Sequence, residues 1–350
     1  MRIDIIDPTI DSRWEQFIKE QKHSTIFHTS AWAKVIKSTH GFSPRYYILE
    51  NENGQFQAAI PTYYIKSRLT GNRLICLPFS DNCFPILNNE DDILVLLNTI
   101  NNDISSKMAS YLEIRGWQNK RSTNTYNLKI SNQFLLHVLD IRQGTEILEK
   151  NFSRSIRQGI SQARKRGVSV RMSHSEADLK FFYKLYLSTR KKHGVIPQPY
   201  RFFKSIYNYI ISQNLGFLAM ADYEGTTISG GLFFCHKDTI YYKYNASNKH
   251  FLNKRPNNLI IWEVLQYACR SGYKYLNFGR STFEQDGLRS FKCMWGAEEI
   301  AIPYYYYPSI KGCTVISGKS LKYRAMNLFS HIMPESIFRL AGLLLCKHLS

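Results

Sequence analysis

The chain has 350 residues, of which 44% are hydrophobic and 21% charged, and it carries a formal charge of +19. That length exceeds what one hydrophobic core usually organises, so two domains of ordinary globular character are expected. No run is long and apolar enough to span a bilayer, and the basic balance points to anionic partners: nucleic acid, a nucleotide-linked substrate or an acidic membrane surface.

The seven cysteines are scattered and odd in number, with no CxxC pair. They read as reduced thiols of a cytosolic protein, and Met1-Arg2-Ile3-Asp4 does not read as a signal peptide. The expected location is therefore the cytoplasm.

Short amphipathic helices are predicted over Trp14 to Gln21 and Ala31 to Ser38. Tyr46 to Glu50 and Phe56 to Pro61 read as strands joined by a turn at Asn51 to Gly54. A further strand is expected over Tyr111 to Arg115. Lys150 to Arg171 holds seven basic residues and no acid. It is predicted as a helix capped by Asn151 or Ser153 and ended by Gly167. Arg154, Arg157 and Arg164 on it are candidates for contact with nucleic-acid phosphates, and a solvated linker helix is the equal alternative.

Helices follow over Asp178 to Lys192 and Tyr200 to Ser212. Gly216 to Met220 and Thr227 to Leu232 repeat the strand-turn-strand pattern around Asp222 to Gly225. Then come a strand from Tyr241 to Ser247, a helix from Asn258 to Ser271 and a strand from Tyr275 to Arg280, which echoes Tyr111 to Gly116. The two hairpins and two echoing strands predict one α/β unit used twice. The tail from Lys311 carries Lys311, Lys319, Lys322, Arg324, Arg339 and Lys347 against Glu335 alone. As a basic amphipathic helix it has two readings: docking on the protein's own body or lying on an anionic membrane.

Several chemistries are missing. There is no HExxH or clustered His/Cys pattern, so no metal is expected. Neither a G-x-S-x-G elbow nor a P-loop appears. Cys293 shows no His or acid partner nearby and reads as a core or wall residue.

The second half resembles the FemABX peptidyltransferases. The resemblance is carried by the basic helix before Gly167, Tyr241-Tyr242-Lys243-Tyr244-Asn245-Ala246-Ser247, Arg255-Pro256-Asn257, Phe278-Gly279-Arg280-Ser281 and Gly287 to Gly296. The first half matches through Trp32-Ala33-Lys34-Val35 and Leu77-Pro78-Phe79-Ser80-Asp81. Phe-Gly-Arg-Ser followed by Phe-Lys-x-x-Trp-Gly is most similar to FemAB-related proteins of exosortase and exopolysaccharide systems. The resemblance implies an α/β (α+β) fold of two tandem GNAT-like domains, at 1–148 and 149–310, with a helical tail at 311–350.

It also implies transfer of an acyl or aminoacyl group to an amine or hydroxyl of a cell-envelope precursor. Lys292 would stabilise charge on the attacked carbonyl, with Phe291 shaping the wall. Lys34 and Tyr244 or Tyr242 would bind the acceptor. Arg280 and Asp81, at strand ends, are added as polar ligand groups. The family's arginine and tyrosine for the diphosphate acceptor are replaced here by Gln198 and Phe202, with Arg190 or Arg201 able to supply the cation.

No resident cofactor is expected; the donor is aminoacyl-tRNA or acyl-CoA. CoA-binding GNAT proteins usually carry a Gly-rich strand-to-helix turn, and Ser247 to Asn258 has none. The rivals are an acyl-CoA-dependent N- or O-acetyltransferase and a non-catalytic RNA- or membrane-binding protein on a degenerate GNAT fold.

Overall fold

Twice along the chain, four antiparallel strands are followed by a crossover and a fifth strand parallel to the fourth. The computed structural model describes residues 1–118, 123–309 and 333–348. The basic run Lys311 to Arg324 and Cys313 lie outside the described residues.

The first passage runs β1 (Arg2–Ile6), α1 (Arg13–Glu20), α2 (Ser30–His40), β2 (Ser43–Glu50), β3 (Phe56–Ile65), β4 (Arg73–Cys76), β5 (Ile86–Leu87), α3 (Asp92–Ser105) and β6 (Leu112–Arg115). After β7 (Lys129–Asp140), α4 (Thr145–Asn151) and α5 (Arg154–Lys165) comes the second passage. It runs β8 (Ser169–Ser173), α6 (Glu176–Lys192), α7 (Tyr200–Tyr209), β9 (Gly216–Tyr223), β10 (Thr226–His236), β11 (Thr239–Ser247), α8 (Pro256–Arg270) and β12 (Tyr275–Ser281). The chain ends with α9 (Asp286–Cys293), β13 (Glu298–Tyr307) and α10 (Glu335–Leu345).

The chain forms two units. Unit 1 comprises 1–134, 301–317 and 347–350, and unit 2 comprises 135–300 and 318–346. The division falls within β7 and within β13, while the expected boundary after residue 148 falls inside α4. In unit 1 the edge of β6 is covered by β13, antiparallel, with Tyr304 opposite Arg115. In unit 2 the edge of β12 is covered by β7, antiparallel, with Leu276 opposite Leu139.

Unit 2 buries both faces of its sheet. On one face α5 and α8 lay down Ile156, Ile160, Ala163, Leu259 and Trp262 against Phe217, Phe233 and Phe278. The basic helix α5 has only this apolar stripe, and Ser153 caps it by accepting from the Ile156 amide at 3.4 Å. Its charges therefore face outward for a packing reason before any functional one. On the other face α6 and α7 supply Phe182, Tyr183, Tyr186, Phe202 and Phe203, which pack ring to ring at 4.7–6.5 Å.

A bulge in β11 decides which face two tyrosines join. Leu232 and Phe233, adjacent on β10, oppose Tyr244 and Tyr242, so Lys243 is the extra residue. Two residues apart, the tyrosines would otherwise share a face. Instead Tyr242 stacks on Phe233 (4.7 Å, 7°), and Tyr244 meets Phe203 (5.5 Å) and Tyr186 (5.9 Å).

The described part of the tail rests on unit 2. Phe338 of α10 is fully buried, and Gly342 passes so close to Pro197 that a Cβ would lie 2.5 Å from its carbonyl oxygen. Ile337, Leu340, Leu343 and Leu344 face outward, each about half exposed.

Candidate active site

Lys292 sits in the last turn of α9, and only 4% of it is exposed. Its ammonium donates to the carbonyl oxygens of Gly279 (2.9 Å) and Arg280 (3.0 Å). Those carbonyls are available because β12 leaves its ladder there. Asn277 pairs with Val138 and Arg280 with Leu136, so Phe278 and Gly279 bulge. Gly279 adopts φ +71°, a conformation glycine reaches without a Cβ clash, and its amide donates to Asn277 Oδ1 at 2.8 Å. The Phe-Gly-Arg-Ser signature is thus a bulge whose carbonyls hold a buried ammonium. Arg280 is half-exposed and contributes its main-chain oxygen. Phe291 packs its ring edge toward Trp295 at 6.5 Å.

Behind this bulge lies a polar cluster that short-range sequence reading missed. His137 of β7 is fully buried, with Nε2 2.6 Å from Ser281 Oγ and Nδ1 3.9 Å from Glu299 Oε1. Burial, then the neighbouring Lys292 ammonium, pushes the imidazole down to about 4. Arg289 grips Glu299 with two bonds of 2.9 and 3.0 Å, which holds that carboxyl below the usual carboxylate range. Cys293 interacts with the same carboxylate, and burial pushes its thiol up. Cys293 therefore does have both a His and an acid beside it, brought from β7 and β13. The sequence signal was a single histidine in the apolar run Phe134 to Leu139.

A second cluster forms around Tyr186. Its hydroxyl lies 3.0 Å from Arg190 Nε and 3.1 Å from the Gln198 amide, and the Arg190 guanidinium lies over the ring at 5.2 Å. Arg190 is half-buried and has no carboxylate within ion-pair reach among the described residues. Gln198 is 6% exposed, and its Oε1 is buried with no hydrogen-bond partner. Phe202 is fully buried in the adjoining aromatic core, so that position cannot present a polar group. Arg201 is exposed.

A GNAT acetyltransferase domain model matches residues 150–293. The Lipid II:glycine glycyltransferase of Staphylococcus epidermidis strain ATCC 35984 is 20% identical over 81% of this chain and 87% of its own length. The chain is thus similar to the FemABX proteins over most of its length. FemX has the same fold, with a TM-score of 0.69 at 16% identity, over 88% of this chain and 97% of FemX. A tandem GNAT protein from the clavulanic acid pathway matches with a TM-score of 0.57 at 8% identity, over 89% and 99% of the two chains. The chain is an acyltransferase by class, and its repeated strand order is the GNAT fold used twice.

In unit 1, Lys34 stands exposed on α2, whose N-terminus Thr29 caps by accepting from the Trp32 amide. Asp81 is half-buried, and its carbonyl accepts from the Tyr304 hydroxyl at 2.6 Å. It ends a strained loop: Leu77 and Phe79 both have positive φ, at 37° and 62°. Such strain in non-glycine residues concentrates at ligand sites. Of the three arginines expected to meet nucleic acid, Arg157 donates to the carbonyls of Lys150 and Phe152, and Arg164 pairs with Glu263 at 2.9 Å. Arg154 is exposed, with no ion pair among the described residues.

The turn from β11 to α8 shows what replaces a Gly-rich cradle. Arg255 takes the left-handed conformation before Pro256, and Asn257 Oδ1 accepts from Ser229 and Ser247 at 2.7 and 2.9 Å. Among the described residues, no helix is long and apolar enough to cross a membrane.

Proposed function

We propose that this chain transfers an aminoacyl group from tRNA to an amine of a lipid II-type peptidoglycan precursor, as its likeness to FemABX proteins suggests. The observation that carries the reading is the buried Lys292 ammonium, fixed by two carbonyls of the β12 bulge. An ammonium held in one place in a water-poor site stabilises an oxyanion without having to reorganise as charge develops. The acceptor amine, its proton lost to solvent, attacks the ester carbonyl carbon of the donor. Negative charge collects on the carbonyl oxygen beside Lys292. The carbon–oxygen bond to the ribose then breaks, and the ribose oxygen takes up a proton.

Arg190, stacked on Tyr186, serves as the cation for the acceptor's phosphates in place of the arginine that Gln198 displaces. Lys34, Tyr244 and Asp81 are assigned to acceptor binding, and Arg154 to the tRNA backbone. The outward apolar stripe of α10, beside Arg339 and Lys347, rests on an anionic leaflet, where a lipid-linked acceptor would be found. The Asn257–Ser229–Ser247 network at the start of α8 favours tRNA over CoA, because side chains occupy the place of a glycine-rich pyrophosphate cradle.

The test is donor choice. Purified protein is incubated with lipid II and either mixed aminoacyl-tRNA or acetyl-CoA, and products are read by mass spectrometry. An aminoacylated lipid product that disappears with Lys292→Met is expected. An acetylated product formed from acetyl-CoA, or transfer only to an exopolysaccharide precursor, would overturn the assignment.

A further inference from the structure

Three donors of different chemical type converge next to Lys292 from three elements: β7, α9 and β13. His137 Nδ1, Cys293 Sγ and a Glu299 carboxylate oxygen all lie within 4.8 Å of one another. Their number and variety set them apart from an ordinary ion pair. The decisive member is His137. It is fully buried, yet its Nδ1 has no hydrogen-bond partner, and either tautomer leaves that nitrogen unsatisfied. Buried polar atoms without partners call for a ligand or another explanation.

We propose that His137, Cys293 and Glu299 form a three-ligand site for a divalent cation of the Zn²⁺ type. One nitrogen, one sulfur and one carboxylate oxygen suit a borderline ion of tetrahedral habit and do not suit Ca²⁺ or Mg²⁺, which take oxygen ligands. In tetrahedral zinc sites ligand atoms stand roughly 3.5 Å apart, so the three groups need to close by about 1 Å. The Cys293 end is exposed and Glu299 is half-buried, which gives an entry path and leaves room for a water in the fourth position.

The surroundings orient the ligands as supporting groups do around known metal sites. Ser281 Oγ lies 2.6 Å from Nε2 and can accept a proton carried there; in that tautomer the Nδ1 lone pair is left for the cation. Arg289 fixes the Glu299 carboxylate with two parallel bonds, using one lone pair on each oxygen. A carboxylate offers about four such lone-pair sites, so a lone pair remains for the cation. A bound ion places a second positive charge beside the Lys292 ammonium, which acts electrostatically on both His137 and Cys293.

The experiment titrates Co²⁺ into the untagged full-length protein and follows absorption. One equivalent is expected to give a thiolate-to-cobalt charge-transfer band together with visible d–d bands, all removed by added Zn²⁺. Cys293→Ser should abolish the charge-transfer band. Glu299→Gln should weaken cobalt binding about tenfold or more, whereas Arg289→Gln, which leaves all three donors, should retain the band. Both altered ligands reach the surface, so these variants decide the matter even if His137→Gln fails to fold. No band in the wild-type protein, or a band that survives in Cys293→Ser, overturns the site.

Discussion

Lys292, on a helix, reaches the carbonyl oxygen of Gly279, on a strand, at 2.9 Å, thirteen residues earlier in the chain. The Phe278–Ser281 segment and the Phe291-Lys292 pair are thus one hydrogen-bonded unit. Lys292→Met is expected to lower the transfer rate by about 10²–10³, the usual effect of losing a fixed oxyanion donor. Because it also leaves the Gly279 and Arg280 carbonyls without their donor, thermal stability should stay level or fall. Single-turnover rates and melting curves on one preparation check both halves of the prediction.

Gly279→Ala forces a Cβ into φ +71°. The strain costs about 1–2 kcal/mol, and relief of it turns the carbonyl away from Lys292. A lower melting temperature together with a lower rate is expected. Full activity would mean that the bulge does not set the ammonium's position.

Arg190→Lys keeps the charge but loses the planar contact with Tyr186 and the geometry of the guanidinium fork. The KM for a diphosphate-bearing acceptor should rise about tenfold, a loss of roughly 1.4 kcal/mol, while the rate at saturation changes little. Tyr186→Phe, which removes the hydroxyl next to Arg190 Nε, should move KM in the same direction by less.

Asp178 accepts from both terminal nitrogens of Arg171 at 2.6 and 2.7 Å and from Ser173 at 2.5 Å, and these bonds hold its carboxyl below its ordinary range. A depressed native value stabilises the fold above the unfolded carboxyl's titration and is lost as pH falls through the native one. Asp178→Asn should therefore lower stability at pH 7, and the difference from wild type should close on acidification below pH of about 4. Arg171 is nearly half exposed, so solvent screening limits the effect to about 1 kcal/mol. Melting temperatures across pH report it.

Leu340 and Leu344 project from the outer face of α10. Changing both to Glu removes about 3 kcal/mol or more of apolar burial at a membrane and adds repulsion from anionic lipid. Co-sedimentation with phosphatidylglycerol vesicles should drop at least tenfold, with the melting temperature unchanged. Equal sedimentation of variant and parent would remove the membrane role of the helix.

Local patterns carried much of the architecture. The hairpins around Asn51 to Gly54 and Asp222 to Gly225, the capped basic helix and the repeated α/β unit were legible because turns, caps and apolar periods act over a few residues. So was the Phe-Gly-Arg-Ser segment. The bulge at Lys243 was not, since it depends on β10, and plain alternation alone would put Tyr242 and Tyr244 on one face. Tyr186 gave no signal among the many aromatics, because its partners Arg190 and Gln198 matter only through the fold. His137 and Glu299 stand 162 residues apart in sequence and meet only when β7 and β13 are in place.

The exchange of those two strands governs the order in which the protein can be completed. Residues 1–134 are synthesised first, but their β6 edge waits for Ala301–Tyr307, which leaves the ribosome only after residues 135–300 of the other unit. Until then Arg115, later 7% exposed beneath the Tyr304 ring, lies at an open sheet edge. A nascent chain halted after α9 therefore leaves both units unfinished: the first lacks the β13 cover of β6, and the second lacks Glu299 and α10. No cut at a single point yields two complete pieces.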